Sequence, residues 1–279
     1  MSKIIAITGA NSGIGLAAAK LLAGQGHEII LICRSEVKGQ AALAEVKEAV
    51  SGVKASLFLC DLGKFETVVE AAEQIKGQFQ HLDVLLNNAG YYPPEVGYTE
   101  GVEHTLYASH LGHMLLTLRL MPLLEASSEA RIVNVSSAAH QMGKTERFFK
   151  QLDKYSNIQA YGDAKLANIL LSLGLTTRTK PHITSYSLHP GVVGTNFGDN
   201  LPAFFRGFFN LTKSFLFLSP EKGAATSVHL ASAPIAQLKG HNGEYFAKRK
   251  PQRMKHRDVT GEKADWLWEK SMGYIQEHL

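Results

Sequence analysis

Along the first half of the chain, short apolar runs rich in β-branched residues alternate with longer stretches whose apolar residues return every three or four positions. The runs at 3–7 (KIIAI), 28–33 (EIILIC), 55–59, 84–86, 132–135 and 183–188 read as strands, with 243–246 as a last one. The stretches at 13–23, 36–50, 65–79, 101–124, 160–177 and 221–231 read as helices. Strands that are apolar throughout, rather than alternating, belong to a parallel sheet covered on both faces. Right-handed crossovers then predict an α/β fold, a doubly wound parallel sheet with helices on both sides, as a single domain over 1–279. The segment at about 191–220 is longer than an ordinary connection, and such segments usually serve as lids or substrate loops.

Composition narrows the class without naming it. Hydrophobic residues make up 45% and charged residues 19%, which excludes a disordered or fibrous chain. A balance of 29 basic against 25 acidic residues is too even to predict a nucleic-acid partner. The local cluster KRKPQRMK at 248–255 reads as a solvated loop. Cys33 and Cys60 are too few for a disulfide framework or a zinc site, and both sit in apolar runs, as buried thiols of a reducing compartment would. The chain enters an apolar strand at once, and no run of 18 apolar residues follows, so neither a leader nor a membrane span is expected. The expected location is cytoplasmic.

Chemistry enters at the first turn. Strand 1 runs into Thr8-Gly9-Ala10-Asn11-Ser12-Gly13-Ile14-Gly15 and then a helix. Gly9 permits the tight turn, Gly13 lets backbone approach a pyrophosphate, and Gly15 lets the helix pack on the strand. The helix start offers free N–H groups and a positive dipole end to the phosphates.

TGANSGIG resembles the TGxxxGxG cofactor motif of the short-chain dehydrogenases/reductases, whose other landmarks follow in order. They are Asp61-Leu62 after strand 3, Asn87-Asn88-Ala89-Gly90 after strand 4, Ser136-Ser137 after strand 5, Tyr161-x-x-x-Lys165, and Pro190-Gly191 after strand 6. HLGHMLLT, RIVNVSSAAH, KLANILLS and LHPGVVGTN resemble the retinol-dehydrogenase-like branch. The resemblance implies a Rossmann-type fold and a cofactor held by Gly9, Asn11, Ser12, Gly13, Ile14 and Gly15. It further implies that Asp61 bonds the adenine amino group and Leu62 contributes backbone. Asn88 would then lie near the adenine-side ribose, and Val193 and Thr195 would hold the nicotinamide carboxamide. Relatives often pair through the helix bearing Tyr161 and the long helix before it, so a homodimer is one expectation.

The residue after strand 2 selects the cofactor. A protein specific for NAD wants a carboxylate there for the ribose 2′-hydroxyl. This chain has Cys33 followed by Arg34, and a guanidinium pairs with a 2′-phosphate through a charge-assisted fork. NADP(H) is therefore the expected cofactor.

Tyr161 and Lys165 stand at i and i+4 and share a helix face. An ammonium beside a phenol, helped by the positive nicotinamide ring, lowers the phenol's pKa. Tyr161 then gives a proton to a carbonyl oxygen, or takes one from an alcohol in reverse. Lys165 would also bond the nicotinamide ribose, as the resemblance implies. Ser137 matches the family's substrate-orienting serine, with Ser136 the alternative. His110, His113, His140 and His189 fit no zinc spacing and read as packing or loop histidines, so no metal is expected. The related branch carries Asn where this chain has Ser109, which puts the proton relay, and with it the rate, in question.

The expected activity is NADP(H)-dependent interconversion of a carbonyl, an aldehyde or ketone, and an alcohol. The alternative is a catalytically weak NADP(H)-binding protein that senses redox state or serves as an interaction module. Residues 196–218 carry seven phenylalanines beside Arg206, Asn210 and Lys213, and read as a packed helix, a lid over a lipophilic substrate, or, over 204–218, a peripheral membrane contact.

Overall fold

The computed structural model describes residues 2–191 and 218–279. Among these, the strands are β1 (Ile4–Thr8), β2 (Glu28–Cys33), β3 (Ala55–Leu59), β4 (Val84–Asn87), β5 (Ala130–Val135), β6 (Ile183–Leu188), β7 (Tyr245–Ala247) and β8 (Lys250–Gln252). They form one sheet in the order β3-β2-β1-β4-β5-β6-β7-β8. All pairs are parallel except β7–β8. The helices are α1 (Gly13–Gly24), α2 (Glu36–Ala49), α3 (Phe65–Gln78), α4 (104–119), α5 (Met121–Ala126), α6 (Asn157–Leu175), α7 (Pro220–Ser232) and α8 (Gly261–Ile275).

Each central strand is buried on both faces, and its side chains alternate between two cores. Ile5, Ile7, Val84, Leu86 and Val133 pack with α1, α2 and α7. Ala6, Leu85 and Ile132 pack on the other side, with α3, α4, α6 and α8. This is the doubly wound arrangement, with the chain reversing direction between β1 and β4.

Polar residues are buried too, in matched positions. Asn87 and Asn134 stand opposite one another in the β4–β5 register. Asn87 Nδ2 donates to Asn134 Oδ1 at 2.9 Å and to Thr117 Oγ1 at 3.1 Å, and Asn134 Nδ2 donates to Ser172 Oγ at 2.8 Å.

Five features depart from the sequence expectation. Residues 101–103 are not helical: Tyr98–Thr99 pairs with Val102–Glu103 in a small hairpin. The Glu103 carboxylate then starts α4 by accepting the N–H groups of Thr105 and Leu106 at 2.8 and 3.2 Å. Near its other end the helical run breaks at Leu120, because Pro122 has no N–H to continue it. Inside α4, Tyr107–Gly112 winds as a π-helix. There a Cβ on Gly112 would stand 2.2 Å from the Leu62 carbonyl oxygen, so only glycine lets the loop after β3 lie on this turn.

The basic cluster holds strand β8, an exposed edge whose Pro251 suits a position outside the ladder's interior. Helix α8 was not anticipated. It crosses α6, stacking Trp268 under the Arg178 guanidinium at 4.8 Å and placing Ser271 Oγ 2.8 Å from His110 Nε2 on α4. Part of the α4–α6 face that the resemblance assigns to pairing is thus covered within one chain.

Candidate active site

The carboxyl ends of β1, β4, β5 and β6 converge on one edge, and the crevice at the β1/β4 reversal is where open α/β sheets bind ligands. Gly9 (φ +65°) and Gly13 (φ +53°) adopt the left-handed conformation that glycine tolerates, and the Gly9 N–H donates to the Ile32 carbonyl at 2.9 Å. A Cβ on Gly15 would stand 2.3 Å from the Gly9 carbonyl oxygen and 2.5 Å from Asn88 Nδ2. Ser12 opens α1 without a side-chain capping bond, and no acid lies in the first turn. Its early N–H groups are therefore presented, with Asn11 and Ile14 beside them, to an anion. The cradle fits a pyrophosphate.

Arg34 follows β2, exposed and without an ion pair among the described residues. Cys33 beside it is buried, and burial pushes its thiol up to about 11, so no negative charge opposes a phosphate there. Asp61 is held at the end of β3, one carboxylate oxygen accepting the Gly63 N–H at 3.1 Å. Leu62 lies against the π-helical turn.

Thr8 ties this turn to the next wall. Its Oγ1 accepts the N–H groups of Asn88 and Ala89, both at 2.9 Å, and lies 2.8 Å from His113 Nε2. Asn88 Nδ2 returns a bond to the Thr8 carbonyl at 2.9 Å. Ser109, on the π-helical turn, accepts the Tyr91 N–H at 3.3 Å.

On α6, Tyr161 bonds Ser137 and meets the Tyr92 ring edge-on at 5.8 Å. Lys165 Nζ lies 5.5 Å from the Tyr161 ring centroid and donates to the Val135 carbonyl at 3.0 Å. Asn168 donates to that same carbonyl at 3.2 Å. The two serines differ. Ser136 is buried and donates to the Lys165 carbonyl at 2.7 Å, whereas Ser137 is partly exposed and caps a short 3₁₀ turn by accepting the Ala139 N–H at 3.2 Å. Ser137 is the serine beside Tyr161.

The expectation that Lys165 lowers the Tyr161 pKa is not met by the side chains of this chain alone. Burial pushes Tyr161 up to about 12, partly offset by the Ser137 bond, and brings Lys165 down to about 8. At neutral pH the phenol holds its proton.

One edge thus carries Gly9, Asn11, Ser12, Gly13, Ile14, Gly15, Asn88, Ser109, Ser137, Tyr161 and Lys165, with Arg34, Asp61 and Leu62 at the ends of β2 and β3. Val193, Thr195 and the phenylalanine-rich segment lie outside the described residues. The sequence reading missed Thr8 and Tyr92 as site residues. Thr8 had one signal, a polar residue closing an otherwise apolar strand. The histidines bond neighbours: His140 Nδ1 lies 2.7 Å from the Ser137 carbonyl, and His189 Nδ1 accepts the Gly191 N–H at 3.0 Å.

Burial lowers His110 to about 3 and His113 to about 4. The folded state keeps both neutral, so their contribution is present above pH 6.5 and is lost as pH falls toward 4. Each costs about 2 kcal/mol of stability at pH 5, at about 1.4 kcal/mol per pKa unit. Urea midpoints measured from pH 7.5 to 5 are expected to fall, and less so for His110→Asn; equal falls would contradict this assignment.

A family model described as short chain dehydrogenase matches residues 3–204. Retinol dehydrogenase 12 of Mus musculus is 35% identical over 272 residues, covering 95% of this chain and 84% of the relative. Retinol dehydrogenase 14 of Homo sapiens is 34% identical over 287 residues, covering 96% and 84%. Among solved structures, an uncharacterized protein from Mycobacterium Paratuberculosis superposes with a TM-score of 0.76 at 27% identity, covering 98% of this chain and 93% of that one. L-Sorbose reductase from Gluconobacter frateurii, complexed with NADPH and L-sorbose, gives 0.66 at 25% identity, covering 83% and 90%.

Proposed function

The chain belongs to the short-chain dehydrogenase family, an oxidoreductase interconverting a carbonyl and an alcohol with a nicotinamide cofactor, and from that premise we propose that it uses NADP(H) on a lipophilic substrate in the cytoplasm. The observation that carries the reading is Tyr161, bonded to Ser137 and flanked by Lys165 at the carboxyl edge of the sheet.

When bound, the dinucleotide supplies or receives the hydride. Ser137 donates a hydrogen bond to the substrate oxygen and orients it. Tyr161 gives its proton to that oxygen as the carbonyl is reduced. Lys165, anchored on the Val135 carbonyl, keeps a positive charge near the phenol and supports the charge left there. Ser109 holds the Tyr91 backbone and so the strap of residues 88–91 that leads to Tyr92 beside Tyr161. Asp61 and Leu62 are assigned to the adenine, Asn88 to the neighbouring ribose, and Val193 and Thr195 to the carboxamide.

The NADP(H) assignment rests on an exposed Arg34 beside an uncharged Cys33. The L-sorbose reductase structure holds NADPH, which is consistent with it. The lipophilic substrate rests on the retinol dehydrogenase relatives and on the aromatic pair Tyr92–Tyr161. The free buried thiols Cys33 and Cys60 support a cytoplasmic location. The test is NADPH oxidation with a panel of aldehydes and ketones of increasing chain length. Turnover rising with apolar length supports the proposal; binding of NADPH with no turnover across the panel would overturn it.

Arg34→Ala is expected to raise KM for NADPH roughly 10- to 100-fold, the worth of a charge-assisted bond of about 1.5–3 kcal/mol. KM for NADH should move little. Equal changes for both cofactors would remove the assignment.

A further inference from the structure

We infer that His113 is a positioning residue of the cofactor cleft, fixing the Thr8 hydroxyl and through it the backbone of Asn88 and Ala89 between the glycine turn and Lys165. The inference rests on the dinucleotide reading above and extends it to a side chain inside α4.

Two bonds dictate the polarity. His113 is fully buried, and its Nδ1 lies 2.9 Å from the Ser109 carbonyl, a group that can only accept, so Nδ1 carries the proton. Nε2 then holds a lone pair, and the Thr8 hydroxyl at 2.8 Å must donate to it. The Thr8 oxygen is left to accept, which it does from Asn88 and Ala89. A competing acceptor stands near: the Leu86 carbonyl is 3.5 Å from Thr8 Oγ1. Without His113 the hydroxyl proton turns there, and the two N–H bonds lose their alignment.

The other end of the strap is held from the same helical turn, where Ser109 Oγ accepts the Tyr91 N–H. Residues 88–91 are therefore held at one end by His113, through Thr8, and at the other by Ser109, four residues apart on α4. What they separate is the site itself. Asn88 presses on Gly15 at the start of α1, and a Cβ on Gly90 would stand 3.6 Å from Lys165 Nζ. A strap set loosely here moves the phosphate cradle relative to the lysine.

The imidazole can be dissected. Asparagine places an amide nitrogen where Nδ1 stands, and glutamine places an amide oxygen where Nε2 stands. His113→Gln therefore keeps the Thr8 bond, whereas His113→Asn keeps only the Ser109 bond. NADPH dissociation constants from quenching of protein fluorescence are expected to rise about tenfold for His113→Asn and His113→Leu, and to stay within about threefold for His113→Gln, one hydrogen bond being the difference. Without cofactor, the Asn88 and Ala89 amides should exchange faster with solvent in the Asn and Leu variants and at the wild-type rate in the Gln variant. On a Thr8→Val background, His113→Leu should cost nothing further. Additive losses, or an Asn variant that binds as tightly as wild type, would overturn the role of His113. Should His113→Leu not fold, the Asn and Gln pair decides alone. Failure of the wild-type protein to bind NADPH would instead overturn the functional reading, while the exchange rates still report on the hydrogen bonds themselves.

Discussion

Replacing Tyr161 by phenylalanine is expected to slow carbonyl reduction at saturating NADPH by about 10²- to 10⁴-fold, the usual worth of a positioned general acid. NADPH affinity should stay within about threefold, since the ring and its edge contact with Tyr92 survive. The direction of the pKa shift sharpens the test. With burial holding the phenol up to about 12, Tyr161 is protonated at pH 7, which is the form reduction needs. Alcohol oxidation needs the phenolate, so its rate should climb as pH rises above neutral while reduction stays nearly level from pH 6 to 7. Stopped-flow traces in both directions measure this. A Tyr161→Phe protein that reduces at the wild-type rate would sink the mechanism.

Gly15→Ala is expected to weaken NADPH binding more than 100-fold and to lower the melting temperature, because the new methyl lands on backbone. At 2.3 Å from the Gly9 carbonyl oxygen and 2.5 Å from Asn88 Nδ2, neither neighbour is the flexible end of a long side chain. Either α1 lifts off the turn or the turn opens, and both destroy the anion cradle. Gly24→Ala, at the far end of the same helix, is the control. Its Cβ would meet nothing nearer than Val50 Cγ2 at 4.0 Å, and alanine is favoured over glycine in a helix by about 1 kcal/mol. Calorimetry and NADPH titration of both variants should separate them; similar behaviour would mean that the close approach at Gly15 carries no function.

The strands β1 to β5 were legible because each is a short, mostly apolar run bounded by polar residues or glycine, as a doubly covered sheet requires, and β6 because its β-branched and aromatic residues outweigh its serines. The glycine turn, the Asn88 turn and the Tyr161–Lys165 pair were legible because their spacing along the chain carries their meaning. α8 was not, since its packing depends on Trp268 meeting Arg178, 90 positions away, and on Ser271 meeting His110, 161 positions away. The π-helical turn left no trace either: the apolar spacing of 104–119 is the same whether one turn is widened or not. Thr8 and His113 meet across 105 positions, and nothing local to either distinguishes a packing histidine from one that orients a hydroxyl. β8 was hidden by its own exposure, for an edge strand of Lys, Pro and Gln has no apolar signature.

The paired amides of Asn87 and Asn134 bear on how the chain avoids folding wrongly. Apolar strands such as β4 and β5 lock together almost equally well when slid along one another, because one aliphatic side chain replaces the next. A slip of one residue turns the moved strand's side chains to the opposite face, and here a slip of β5 would carry the Asn134 amide away from Asn87 and Ser172 and into hydrocarbon, at a cost of several kcal/mol. Misaligned sheets are thereby selected against during collapse. The alignment that survives sets Asn88 level with Val135 and Ser137 two residues further along the same edge, so errors in strand pairing and errors in site geometry are rejected by the same two side chains.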